Sequence, residues 1–160
     1  MHTEYDILLE KARKYCLRGE KSVYDVQQKL YQWHVPEKWH DKILNSLKKD
    51  KFIDEKRFVN SFVRDKCYLN KWGRIKIRYH LRQKQIPEHL IEEALGEIEE
   101  DKYMEILREV AKQKIKSLEG KSDDAYNRKQ KLFRFLAQRG FETHLLEDTD
   151  FLSNGRSPYE

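Results

Sequence analysis

The chain has 160 residues, of which 38% are charged and only 38% are apolar even with Tyr and Trp counted, so a single deep globular core is a poor fit. Six Gly and three Pro leave little material for the tight turns of a sheet-rich fold, which is thereby disfavoured. A net charge of +5 permits an anionic partner such as nucleic acid or an acidic protein groove without demanding one.

The first ten residues are polar and acidic and do not resemble a signal peptide, and no stretch approaches the ~20 apolar residues of a membrane span. A cytoplasmic location is expected. Cys16 and Cys67 lack C-x-x-C spacing and companions for a disulfide framework, so both are expected to be buried thiols in a reducing compartment.

An internal repeat organises the chain. Leu30–Glu37 (LYQWHVPE) returns as Leu81–Glu88 (LRQKQIPE) and, weakened, as Leu136–Glu142 (LAQRGFE). The first two copies are offset by 51 residues, a register that also places Arg13 on Arg64, Cys16 on Cys67, Val26 on Ile77 and Leu44 on Leu95. A further offset of 55 carries Ile77 to Leu132 and Ile91 to Leu146. Three tandem units follow, at residues 1–50, 51–100 and 101–147, with residues 148–160 expected to be a disordered tail.

Each unit reads as three helices. In the first, Ile7, Leu8, Ala12, Tyr15 and Cys16 recur at helical spacing until Gly19 ends the run. Ser22 with Asp25 predicts a capped second helix through Val26, Leu30 and Trp33. Pro36 suits the first turn of a third, carrying Trp39, Ile43, Leu44 and Leu47. In the second unit Asp54 caps a helix through Phe58, Phe62, Val63 and Cys67, Gly73 takes the place of Ser22, and Pro87 opens the helix of Leu90, Ile91, Leu95 and Ile98. The third has a long amphipathic helix through Ile106, Leu107, Val110, Ala111 and Leu118. A polar break at residues 120–124 leads to Leu132, Phe133, Leu136 and Phe141. The expected fold is all-α: three tandem three-helix repeats in an elongated, curved array.

No catalytic pattern stands out. The six histidines are scattered away from zinc spacing, and nucleophile-elbow, phosphate-loop and dinucleotide motifs are absent from the sequence. The acidic run Glu92, Glu93, Glu97, Glu99, Glu100 and Asp101 reads as a solvated helix face. Neither catalysis, nor a metal, nor a cofactor is expected.

Residues needed for packing should recur in every copy, whereas those used for a unique contact need not. Lys71, Arg74, Arg78 and Arg82 fall within about 80° on one helix, at about 100° per residue. Their equivalents in the first unit are Glu20, Val23, Gln27 and Tyr31, so this basic stripe is expected to serve a partner. A second basic cluster holds Arg128, Lys129, Lys131, Arg134 and Arg139, and Tyr68, Trp72, Tyr79, Phe133 and Phe135 are interleaved with the two. Such surfaces bind phosphates and bases, or an acidic protein groove.

Four short segments in order, Ala12-x-x-Tyr15-x-Leu17-Arg18, Phe52-Ile53-Asp54-Glu55-x-x-Phe58, Gly73-x-x-x-Ile77-x-x-x-Leu81 and Arg139-Gly140-Phe141, resemble those of the RecX family of bacterial regulatory proteins, over about residues 8–147. The chain departs from that family's pattern at Lys84-Gln85-Ile86, where Lys-Gly-Ile is common, and at Asp54-Glu55, where Asp-Asp is common. The resemblance implies a regulator that lies in the groove of the RecA–DNA filament and limits its growth, ATPase and strand exchange. A monomer is expected, with weak nonspecific DNA binding alongside. The contact residues expected from the symmetry argument are Lys71, Arg74, Arg78, Arg82 and Lys84, then Arg128, Lys131 and Arg134. The competing class is a DNA-binding protein of helix-turn-helix type.

Overall fold

The computed structural model describes residues 1–120 and 123–147, so the expected tail lies outside the described residues. Nine α-helices and no strand occur among the described residues. They are α1 (Glu4–Cys16), α2 (Val23–Gln32), α3 (His40–Lys49), α4 (Glu55–Arg64), α5 (Arg74–Gln83), α6 (Glu88–Gly96), α7 (Glu100–Leu118), α8 (Ala125–Gln138) and α9 (Thr143–Glu147). A 3-10 turn (Glu37–Trp39) leads into α3, and a π-helical segment (Asp65–Leu69) prolongs α4.

Helix starts follow local chemistry. Ser22 and Asp25 form a reciprocal capping box at the head of α2, and Thr3 and Asp6 form another at α1. The Asp54 carboxylate accepts from the Arg57 amide at 3.0 Å to cap α4. The prolines stand one place further out than expected. Pro36 precedes the 3-10 turn, and Pro87 precedes α6, accepting from the amides of Leu90 and Ile91 at 3.1 and 3.3 Å.

The three copies share one chain reversal, which is the clearest structural mark of the repeat. His34, Gln85 and Gly140, equivalent in the register, all have left-handed backbone, at φ 55°, 57° and 95°. Immediately after each, the amides of Val35, Ile86 and Phe141 donate back to the carbonyls of Leu30, Leu81 and Leu136 at 3.0, 3.2 and 3.1 Å. This is the Schellman closure of a helix C-terminus. It aims Val35, Ile86 and Phe141 inward, where all three are buried along with Leu30, Leu81 and Leu136.

Packing divides the chain into two compact units. One comprises Met1–Phe62 with Leu81–Ile91; the other comprises Val63–His80 with the described residues from Glu92 onward. The division passes within α5 and α6, so these packing units cut through the second sequence repeat. In the first unit, Leu9, Ala12, Cys16, Val26, Leu30, Val35, Ile43, Leu44, Leu47 and Ile53 form the core of its N-terminal three helices. Tyr15 packs edge-on against Trp33 and Tyr5 against Trp39, both at 5.9 Å between ring centroids. Each fully buried Leu or Ile contributes ~1.5–3 kcal/mol. Ile7, expected in this stripe, is instead exposed, and Leu9 takes the inward position. In the second unit α7 packs against α8 and α9 against α8. Tyr103, Leu107, Ala111, Leu132, Leu136 and Phe141 have no exposed surface there. Cys16 and Cys67 are both buried free thiols, as their matched places in the repeat lead one to expect.

Candidate partner-binding surface

The basic residues picked out in the sequence lie on identifiable supports, and most have an acidic partner within the chain. In the second unit, the Lys71 ammonium pairs with Glu109 at 2.5 Å and the Arg78 guanidinium with Glu92 at 2.9 Å. Arg74 pairs with Glu100 at 2.5 Å and with Glu142 at 2.8 Å. In the first unit, Arg82 pairs with Glu88 and Lys84 with Asp25, both at 2.5 Å. On α8, Lys131 pairs with Asp123, Arg134 is exposed and Arg128 is half-buried. Arg128, Lys131 and Arg134, three residues apart, form a row along α8 that starts beside the buried Leu132 and turns away from it to the exposed Lys131 and Arg134.

These pairs differ in how readily a partner could replace them. Arg82 and Glu88 are both 55% exposed, and such a screened surface pair is worth ~0–1 kcal/mol, so another carboxylate can compete for it. Arg74 and Glu142 are 18% and 16% exposed, and their pair belongs to a closed network. The Arg74 amide donates to the Tyr103 hydroxyl at 3.1 Å, the Tyr103 hydroxyl donates to the Glu142 carboxylate, and the Arg74 guanidinium lies 3.8 Å from the Tyr103 ring centre. Burial alone would pull the Arg74 pKa down, but the hydrogen bonds that its guanidinium donates to Glu142 and Glu100 outweigh it and raise the net value. Burial, reinforced by the Glu142 hydrogen bond, pushes the Tyr103 phenol far up and keeps it protonated as the donor.

The same network closes the head of α5. The amides of Gly73 and Ile75 donate to the carbonyls of Arg139 and Gly140 at 2.8 and 3.0 Å, and Arg139 reaches back to the Asn70 carbonyl at 2.8 Å. The two backbones approach so closely that a β-carbon on Gly73 would sit 2.2 Å from the Gly140 carbonyl carbon. Gly73 and Arg139-Gly140-Phe141 are therefore two halves of one structural joint. The expectation that the basic stripe is free of structural duty fails for Arg74, which is built into that joint.

Sequence reasoning missed Tyr103, Glu100 and Glu142. A signal was present for Glu142: it stands where the other copies have Pro36 and Pro87, while Arg74 stands where the first has Val23. Two opposite charges that both break the template meet each other. The acidic run is likewise more than a solvated face, because Glu92 and Glu100 each hold an arginine. Among the described residues, no group of three or more His, Cys, Asp or Glu side chains is placed to hold a metal ion, and no helix is long and apolar enough to cross a membrane.

Comparison with known proteins follows this architecture. A family model described as the second three-helix domain of RecX matches residues 54–95, and one described as its third three-helix domain matches residues 100–146. The chain belongs to the RecX family. Among RecX relatives, the regulatory protein RecX of Clostridium botulinum (strain Eklund 17B / Type B) is 35% identical over 139 residues, 87% of this chain and 65% of that protein. The chain thus spans slightly less than two thirds of this clostridial RecX. The regulatory protein RecX of Chlorobium phaeobacteroides (strain BS1) is 35% identical over 130 residues, 81% of this chain and 82% of that protein. A crystal structure of regulatory protein RecX matches with a TM-score of 0.78 at 25% identity, covering 92% of this chain and 78% of that one. RecX from Lactobacillus salivarius shares the fold, with a TM-score of 0.71 at 21% identity over 87% of this chain and 92% of that one. The tandem three-helix arrangement of the RecX family accounts for the recurring reversals at His34, Gln85 and Gly140.

Proposed function

We propose that this RecX-family chain is a cytoplasmic, monomeric regulator that binds RecA or the groove of its DNA filament and restrains filament growth, ATPase and strand exchange. The observation that carries the reading is the pair of family-model matches, which together cover most of residues 54–146. Thermodynamically, such a protein works by preferring one assembly state of the filament and shifting the population toward it.

The proposed contacts are the basic residues Lys71, Arg74, Arg78, Arg82, Lys84, Arg128, Lys131 and Arg134, and the ion-pair geometry ranks them. Arg78, Arg82, Arg128, Lys131 and Arg134 can exchange or offer their charge at the surface. Lys71, Arg74 and Lys84 act chiefly by holding the elements that present them.

The test is the ATPase of RecA filaments on single-stranded DNA with the purified chain added below RecA stoichiometry. Inhibition is expected, with at least ~10-fold lower potency in the double variant Arg78→Glu, Arg82→Glu, since reversing a contact charge costs on the order of 1–3 kcal/mol. An unchanged ATPase with the parent protein sinks the proposal. Tight, sequence-selective duplex binding at moderate salt would replace it with the helix-turn-helix reading.

A further inference from the structure

The outer side of α5 carries a feature that the ion pairs do not explain. Large apolar side chains with substantial exposure recur in residues 68–79: Ile75 is 48% and Tyr79 59% exposed on α5, and Tyr68 is 36% and Leu69 76% exposed on the π-helical segment before it. Single exposed apolar residues are ordinary, but a cluster on one short segment is not. Ile77, on the inner face of α5, has no exposed surface, whereas Ile75 and Tyr79 are four residues apart on the opposite side.

The border of this patch is preassembled. Trp72 packs on His80 at 4.8 Å between ring centroids, and His80 meets Tyr79 edge-on at 5.6 Å. The ammoniums of Lys66 and Lys76 lie 4.8 and 4.3 Å from the centre of the Trp72 ring. A ring contact orients an ammonium without cancelling its charge. No Asp or Glu occurs in the sequence from Lys66 to Pro87. Lys71, Arg74 and Arg78 are answered by acids from other segments, while Lys76 keeps its charge on the Trp72 ring at the edge of the patch.

We infer that the outer face of α5 in the second unit, centred on Ile75 and Tyr79 and bordered by Trp72, His80, Lys66 and Lys76, docks a protein segment that presents apolar side chains flanked by carboxylates. The inference deepens the RecA reading and rests on it. An apolar centre with a basic rim is the anatomy of a protein interface. Single-stranded nucleic acid would instead need open ring faces, and the Trp72 ring is already engaged by two ammoniums and His80. Of the three most exposed groups, Leu69 and Ile75 are aliphatic, and bases do not stack on aliphatic side chains, which leaves Tyr79 as the one strongly exposed ring. Fixing rings and ammoniums before contact lowers the entropy lost on binding.

The experiment measures binding of the full chain to RecA filaments on single-stranded DNA by fluorescence anisotropy, with naked oligonucleotide in parallel. Ile75→Glu and Tyr79→Glu are expected to weaken filament binding at least ~10-fold with unchanged melting temperature, because a carboxylate would be buried against carboxylates. Tyr79→Phe should bind as the parent does. Lys76→Glu should weaken binding at low salt and converge on the parent as salt rises. Filament binding unaffected by both Glu variants overturns the inference while leaving the RecA reading intact. Equal losses on filament and naked oligonucleotide also overturn it, assigning the face to nucleic acid. A parent that does not bind filaments, whether or not it binds naked oligonucleotide, removes the RecA reading and the inference together.

Discussion

Neither neighbour of a would-be β-carbon at Gly73 is the end of a flexible chain: both are Gly140 and Phe141 backbone, at 2.2 to 2.4 Å. Gly73→Ala must therefore separate α5 from the end of α8, and a loss of ~3 kcal/mol or more is expected in chemical denaturation, the size of severe overpacking. Gly140→Ala adds backbone strain, since its φ is +95° and its β-carbon would meet Lys76 at 2.4 Å. Tyr103→Phe keeps the ring but leaves the Arg74 amide and the Glu142 carboxylate short of a partner, and should cost ~1–3 kcal/mol. Cys67 supplies a pH prediction. Burial pushes its thiol up to about 11 from an ordinary 9.0, so the folded state holds this proton after the unfolded chain has released it. Stability from this group is complete below pH ~9 and falls as pH rises toward ~11. Thiol alkylation of the native protein at neutral pH should accordingly be much slower than after unfolding.

Helix ends decide how the repeats turn. His34 and Gln85 hold left-handed backbone at φ 55° and 57° with a side chain attached, a conformation that only glycine adopts at no steric cost. Replacing either by Gly should raise stability by up to ~1 kcal/mol, measurable as a higher urea midpoint, since neither residue is buried. The third copy already has Gly140 there, where the close approach to α5 leaves no room for anything else. At the other end of a helix, Ser22 has no exposed surface and exchanges hydrogen bonds with Asp25 at 3.0 and 3.1 Å. Ser22→Ala removes the cap of α2 and should cost ~0.5–2 kcal/mol.

Charge is the property that acts across the chain. Its net +5 is a small residue of 33 basic and 28 acidic side chains, most of the basic ones under discussion being tied to acids of the same unit. An attraction of this protein for an acidic partner is then a matter of local patches, and raising salt from ~50 to ~200 mM should weaken filament binding several-fold without abolishing it. A residual affinity at high salt is what an apolar centre such as Ile75 and Tyr79 supplies; complete loss would mean that charge alone holds the complex.

The repeat register, the helical period, the caps at Ser22 and Asp54 and the burial of Leu30, Leu81 and Leu136 were all legible along the chain, because each depends on interactions within a few residues or on an apolar face that any partner element satisfies. Which charges face outward was not legible. Arg74 and Arg82 look alike on one helix, yet the first is locked to Tyr103 and Glu142 and the second holds a solvent-exposed pair with Glu88. That difference is set by groups up to 68 residues away in sequence, brought within hydrogen-bond distance only when the Gly73–Gly140 joint closes. Hydrophobic pattern selects helices and their inner faces; the strength of an ion pair depends on distance and desolvation, and both come into being only with tertiary packing.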